Sequence, residues 1–263
     1  MPYPMSHLTF VPVGREGQIA QMLLLQDKLN TRTLGPDWIQ QASAVDRKVF
    51  YDLAYAEELF ELANTVHYKW WTASKHSPEY VAYNTKIELV DALHFLLSMY
   101  LIKSKQALCT TTDFSDYPYL EGAAELIEKF EVGSNASGTE WKLQLRKCLS
   151  STFERQLQLY AGHVNDYVEE SSQAYADFSQ LCACFGLDIE KLYTLYVAKN
   201  ILNEFRQDHG YSEGTYQKVW LNGKEDSFYL FTALEEEGLS LTEVATFLED
   251  RYVGVLAELG ALN

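Results

Sequence analysis

The feature that most narrows the fold is a pair of long stretches with no helix breaker, each carrying acids inside an apolar pattern. The first, Ala56 to Trp71, reads AEELFELANTVHYKWW. It lacks Gly and Pro and is rich in Leu, Ala and Glu, which predicts a helix. At ~100° per residue, Glu58 and Glu61 lie about 60° apart, and Glu57 and Glu61 about 40° apart. Three carboxylates thus share one narrow sector. Like charges so placed cost about a few tenths of a kcal/mol on a wet surface and far more when enclosed, a cost that a nearby cation offsets.

The second stretch, Thr85 to Lys103, reads TKIELVDALHFLLSMYLIK. Glu88 and Asp91 stand at i, i+3 and point to one side, which continues through Phe95 and Ser98 and takes in Asn84 one turn earlier. ExxE followed by ExxD on consecutive helices can face across an antiparallel pair and hold a hard divalent cation. Carboxylate oxygens suit Mg²⁺ or Mn²⁺ better than Zn²⁺, which prefers nitrogen and sulfur. A single ExxE is ordinary on a solvated helix. Two in succession on helices with strong apolar faces weigh a metal site evenly against surface charge.

Composition bounds the rest. The chain's 263 residues suffice for one large domain, and 47% of them are hydrophobic, so a sizeable core is expected. A net charge of −16 argues against nucleic acid or an anionic membrane as partner. It leaves room for a small anionic substrate, because a metal ion with a few Lys and Arg reverses the potential locally. No secretory signal or membrane span is expected. The cysteines, Cys109, Cys148, Cys182 and Cys184, show no zinc-type pairing. They read as reduced thiols of a cytoplasmic protein, in which the Asn135-Ala-Ser137 sequon has no role.

Along the chain, Glu16 to Asn30 predicts a first helix, with Gln26 and Asn30 at i, i+4 as an amide pair on one face. Gly35-Pro36 marks a turn. Ser77-Pro78 separates the two acidic helices. The segment 110–165 has a looser texture and reads as a variable helical insert or mobile layer, with helical patterns at Leu120–Phe130 and Glu140–Tyr160. A firm pattern resumes from Val164 to Cys184, ended by Gly186 as a C′ residue. Asp188 is a plausible N-cap for the next helix, to Asp208. Thr242 to Leu259 forms the last. Strand alternation is absent, so the class is all-α: a single domain over 1–263, built as a helical bundle.

On the Asp188–Asp208 helix, Lys199, Asn203 and Arg206 stand at i, i+4, i+7 and form a polar stripe. A Gly-punctuated loop follows with Tyr211, Tyr216 and Lys218. Alone, Lys199 and Arg206 read as solvated charges. Together with five acids elsewhere they make a complementary cradle, with metals on one wall and cationic phosphate ligands on the other. A nucleoside polyphosphate would bridge the two.

Five segments then carry a family resemblance: LLLQDKLN at 23–30, EELFEL at 57–62 with KWW at 69–71, KIELVDALHF at 86–95, KNILNEFRQDHGY at 199–211 and GTYQKVW at 214–220. The chain resembles the dimeric all-α dUTPases, within the all-α nucleoside triphosphate pyrophosphohydrolase superfamily. The likeness implies that Glu58, Glu61, Glu88 and Asp91 hold two or more Mg²⁺ ions, with Mn²⁺ as a substitute. Glu57 stands beside them as general base or extra metal contact, on geometry alone. The likeness further implies that Lys199, Asn203, Arg206, Tyr211 and Lys218 bind phosphates and sugar, and that Gln26 and Asn30 contact the base. Trp71, His94 and Phe95 would wall the base pocket. Thr72 departs from the family, whose members often carry Lys there.

The implied reaction is hydrolysis of dUTP, and of dUDP, to dUMP by a homodimer. A dCTP or other pyrimidine deoxynucleotide pyrophosphohydrolase on the same scaffold is the alternative, since Gln26 and Asn30 each offer donor and acceptor. A di-iron bundle is disfavoured. It needs Glu-x-x-His twice, and Asn64 stands three residues after Glu61. A purely structural helical scaffold leaves Lys199, Asn203 and Arg206 unexplained.

Overall fold

The computed structural model describes residues 14–43, 48–108, 119–131, 140–160 and 172–261. Among them no strand forms beyond one isolated bridge between Val219 and Glu225, and the all-α expectation holds. The helices are α1 (Gly14–Leu34), α2 (Trp38–Ser43), α3 (Tyr51–Thr65), α4 (Pro78–Leu108), α5 (Tyr119–Glu131), α6 (Trp141–Tyr160), α7 (Ser172–Cys184), α8 (Ile189–Asp208), α9 (Asp226–Glu236) and α10 (Val244–Ala261). They fall into two compact units that divide between Tyr193 and Thr194, within α8.

In the first unit α4 is the central element, packing against α1, α2 and α3, while α5 lies on α1 and α7, and α6 on α3 and α7. Its length follows from its sequence. Pro78 stands at the first helical position, where its missing N–H costs nothing, and the Ser77 hydroxyl accepts the Tyr80 amide at 3.1 Å as an N-cap. Leu89, Val90, Leu93, Leu96, Leu97, Leu101 and Ile102 are fully enclosed. An apolar surface that nearly surrounds a helix needs neighbours on several sides, which the other helices supply. The core continues through Ile19, Met22 and Leu23 of α1 and Leu59 and Leu62 of α3.

Helix α3 corrects one boundary. It starts at Tyr51 and ends at Thr65, short of the expected Trp71. His67 adopts a left-handed backbone (φ 55°). The Tyr68 amide donates to Ala63 at 3.1 Å and the His67 amide to Asn64 at 3.2 Å. That is a Schellman ending with histidine where glycine is usual. The His67 Nε2–H also donates to the Thr72 carbonyl at 2.6 Å, tying the following turn back. Composition favoured helix through KWW, and this local backbone-capping geometry overrode it.

Other boundaries match their signals. Gly186 is left-handed (φ 72°) and closes α7, with the Leu187 amide on the Cys182 carbonyl at 3.1 Å. Asp188 then caps α8 by accepting the Lys191 amide at 2.9 Å. The part of the expected Val164–Cys184 helix before Ser172 lies outside the described residues, as do Cys109 and the Asn135 sequon. Cys148, Cys182 and Cys184 are buried free thiols. No helix of the described residues is long and apolar enough to cross a membrane.

The second unit is built round aromatic packing. Tyr252 of α10 stacks on Tyr216 at 5.0 Å and meets Phe205 edge-on at 5.6 Å. Its hydroxyl accepts the Gln217 amide at 3.0 Å, which pins the loop after α8. Helix α9 is an element that periodicity does not announce. It is 11 residues long, and a Gly-rich loop precedes it, so its helical signal is brief.

Candidate metal centre

Helices α3 and α4 bring three acids together. Carboxylate oxygens of Glu58, Glu88 and Asp91 all lie within 4.8 Å of one another. Thr65, two turns after Glu58, meets Asn84, one turn before Glu88, at 2.7 Å. The residue order therefore runs in opposite directions along the two helices, and the pair is antiparallel. The same Asn84 amide donates to Glu88 Oε1 at 2.6 Å. That bond orients a carboxylate which is only 7% exposed.

The donor set fits a hard divalent cation. Octahedral Mg²⁺ holds oxygens at ~2.1 Å, so opposite ligands stand about 4.2 Å apart and adjacent ones about 3 Å. Three carboxylate oxygens already within 4.8 Å of one another come to that spacing by side-chain adjustment, without a shift of either helix. All three donors are carboxylates on helices, with no sulfur or imidazole among them, which selects against zinc. Enclosing three negative groups without a cation is the costly alternative.

The other two acids of the sector stand apart. Glu57 and Glu61 are exposed, and neither belongs to the cluster. The narrow sector expected from spacing is real as helix geometry, but its edge turns to solvent before all of it reaches α4.

The amide pair of α1 is buried, Gln26 at 2% exposure and Asn30 at 4%. Gln26 Nε2 donates to Asn30 Oδ1 at 2.9 Å, and Asn30 Nδ2 donates to Ser98 Oγ at 3.0 Å. These bonds link α1 to the α4 face that carries Glu88 and Asp91. His94, also buried, donates from Nδ1 to the Val90 carbonyl at 2.8 Å. Phe95 is half-buried, with its ring 6.2 Å from that of Tyr51. Trp71 sits in the turn after α3 and is 58% exposed.

Beside the amides lies a buried ion pair that spacing alone does not reveal. Asp27 pairs with Lys105 of α4, accepts the Tyr119 hydroxyl of α5 at 2.5 Å and accepts the Trp38 indole N–H of α2 at 3.0 Å. One carboxylate thereby ties three helices to α1. The partners are up to 92 residues away in sequence, so no local pattern connects them. Asp27 itself stands within the LLLQDKLN segment, which was the available signal.

The basic residues belong to the second unit, and two of them correct the solvated reading. Lys199 is 2% exposed and Arg206 is 8% exposed. Arg206 makes a two-point ion pair with Asp226, Nη2 to Oδ1 at 2.6 Å and Nε to Oδ2 at 2.9 Å. Its Nη1 donates to Asn203 Oδ1 at 3.2 Å. Asp226, fully buried at the start of α9, also accepts the Tyr216 hydroxyl and the Ser227 amide, both at 2.7 Å. Burial and that neighbouring carboxylate push the Tyr216 phenol well above its usual range. The Arg206 guanidinium lies 5.9 Å from the Tyr211 ring. Lys218 forms a half-exposed pair with Glu225 at 2.9 Å. Asp226 escaped the sequence reading because a lone acid after a loop carries no spacing signal.

A family model described as dUTPase matches residues 18–211, a span that takes in each expected site residue except Lys218. No curated protein matches the chain.

Proposed function

Because the chain belongs to the all-α dUTPase family, and so is a dUTP diphosphatase, we propose that it hydrolyses dUTP to dUMP and pyrophosphate in a Mg²⁺-dependent reaction that also accepts dUDP. The convergence of Glu58, Glu88 and Asp91 carries this reading. Those residues would hold the cation, which when bound supplies charge neutralisation along the phosphate chain and Lewis acidity toward the attacking water. Asn84 keeps Glu88 aimed at the site. Glu61 and Glu57 are the reserve for a further ion or a general base, since Glu61 lies one turn from Glu58 and Glu57 one turn from Glu61.

Lys199, Asn203, Arg206, Tyr211 and Lys218 are the proposed phosphate and sugar ligands. Arg206 is held in shape by Asp226, so it can offer a fixed fork of donors rather than a searching side chain. Gln26 and Asn30 are the proposed base contacts, with Phe95, His94 and Trp71 as walls. The active form is proposed to be a homodimer. Exposed Leu53 and Phe60 of α3 and Phe153 of α6 supply apolar surface for such a contact.

The test is an assay of dUTP, dUDP and the four ordinary deoxynucleoside triphosphates with and without Mg²⁺. The expected result is dUTP turnover that chelation abolishes and that Glu88→Gln lowers by at least about a thousandfold, with helical circular dichroism unchanged. Metal-independent turnover, or a Glu88→Gln enzyme as fast as the parent, would remove the metal role. Faster cleavage of dCTP would overturn the base assignment.

A further inference from the structure

The base contacts proposed above are primary amides, and an amide can bind either a donor or an acceptor simply by turning over. What decides which way Gln26 and Asn30 face is therefore a separate question from their presence. The hydrogen bonds around Ser98 answer it.

The chain of bonds ends on a group with no choice. The Ser98 hydroxyl stands 2.9 Å from the His94 backbone carbonyl and 3.5 Å from Asn30 Oδ1. A hydroxyl has one proton, and a carbonyl can only accept. The nearer contact takes the proton, because 3.5 Å is at the limit of a useful bond. Ser98 Oγ is then an acceptor on its remaining side, where Asn30 Nδ2 lies at 3.0 Å. Asn30 must consequently turn Oδ1 toward Gln26, which meets it with Nε2 at 2.9 Å. Gln26 Oε1 then lies at the opposite end of its amide.

We infer that Ser98 is a specificity-setting positioning residue: through the His94 carbonyl it fixes the polarity of the Asn30 and Gln26 amides so that the pair matches uracil and mismatches cytosine. This inference rests on the base assignment proposed above. Uracil presents acceptor, donor, acceptor along its pairing edge, and its N3–H calls for an amide carbonyl such as Gln26 Oε1. Cytosine presents donor, acceptor, acceptor, so its unprotonated N3 calls for an N–H at that place. Meeting cytosine would require Gln26 to turn over. That would set its Oε1 against Asn30 Oδ1, and turning Asn30 as well would set Oδ1 against a lone pair of Ser98 Oγ, whose proton is committed to the His94 carbonyl. Every member is buried: Gln26, Asn30 and His94 at 5% exposure or less and Ser98 fully. A mismatch there leaves a buried polar group unpaired, which is the strongest form of discrimination a site can build. Trp38, edge-on to Tyr51 at 6.0 Å and bonded to Asp27, holds the surroundings in place.

The experiment compares kcat/KM for dUTP and dCTP in the parent, Ser98→Ala and Tyr51→Phe enzymes, with thermal unfolding followed alongside. Ser98→Ala frees Asn30 to turn, and the dUTP-to-dCTP preference is expected to fall by about tenfold or more, carried by KM rather than kcat. Ser98→Thr, which restores the hydroxyl, is expected to recover most of the preference. Tyr51→Phe perturbs the same packing without touching the proton committed to His94, and should keep the preference within about threefold. If Ser98→Ala does not fold, Ser98→Cys, similar in size and a weak donor, replaces it with the same expectation. A preference unchanged in the Ser98 variant, or lost equally in Tyr51→Phe, would overturn the inference while leaving uracil selectivity intact. A parent enzyme without preference for dUTP would overturn the base assignment and this inference with it.

Discussion

Replacing Asp226 by asparagine removes one negative charge from a site of zero exposure and leaves the Arg206 guanidinium, itself 8% exposed, without its counter-ion. The carboxylate accepts four hydrogen bonds at 2.6 to 2.9 Å, two from Arg206, one from Tyr216 and one from the Ser227 amide. Asparagine keeps one acceptor and turns an NH₂ toward a donor. Breaking a buried ion pair from one side costs about 3–5 kcal/mol, because the remaining charge stays desolvated. Thermal unfolding followed at 222 nm should fall by roughly 10 °C at 2–4 °C per kcal/mol. The double variant Arg206→Met, Asp226→Leu should recover part of that loss, since no charge is left buried. Its remaining deficit is about 1–3 kcal/mol for the Tyr216 hydroxyl and Ser227 amide that lose their acceptor. Turnover should stay low in both, because Arg206 is proposed to bind phosphate. An Asp226→Asn protein that unfolds within about 1 kcal/mol of the parent would refute the assignment of this pair as a buried, mutually dependent unit.

Glu61→Gln should raise the Mg²⁺ concentration for half-maximal turnover without abolishing binding of the first ion, as titration calorimetry would register; an unchanged metal dependence assigns all binding to Glu58, Glu88 and Asp91. Burial pushes the Cys148 thiol up to about 12 from its ordinary 9.0. An unfolded chain therefore releases this proton first, so its contribution is present below pH 9 and is lost at about 1.4 kcal/mol per unit as pH rises from 9 toward 12. Urea unfolding at several alkaline pH values should show a shallower decline in Cys148→Ala than in the parent. Gly186→Ala should destabilise by about 1 kcal/mol, since φ is 72° but a Cβ would meet open space. Gly210→Ala should cost more in the same denaturation assay, because φ is 86° and the added carbon would run into the Thr215 side chain.

Local chemistry alone determined a good part of this protein. Breaker-free runs announced α3, α4 and α8, and apolar spacing announced α1; Ser77 with Pro78, Gly186 and Asp188 marked ends that depend only on neighbours within a turn. Spacing also placed Glu58, and then Glu88 with Asp91, on single helix faces, and i, i+4 spacing paired Gln26 with Asn30. What it could not decide was which surfaces meet. Glu57 and Glu61 share a sector with Glu58, yet only Glu58 reaches α4, because the axial rotation of α3 is set by where Leu59 and Leu62 find their core. The Asp27–Lys105 and Arg206–Asp226 pairs join residues 78 and 20 positions apart. A charge becomes a fixed partner only when folding removes the water around it, and that happens through packing of helices whose mutual placement no local pattern encodes.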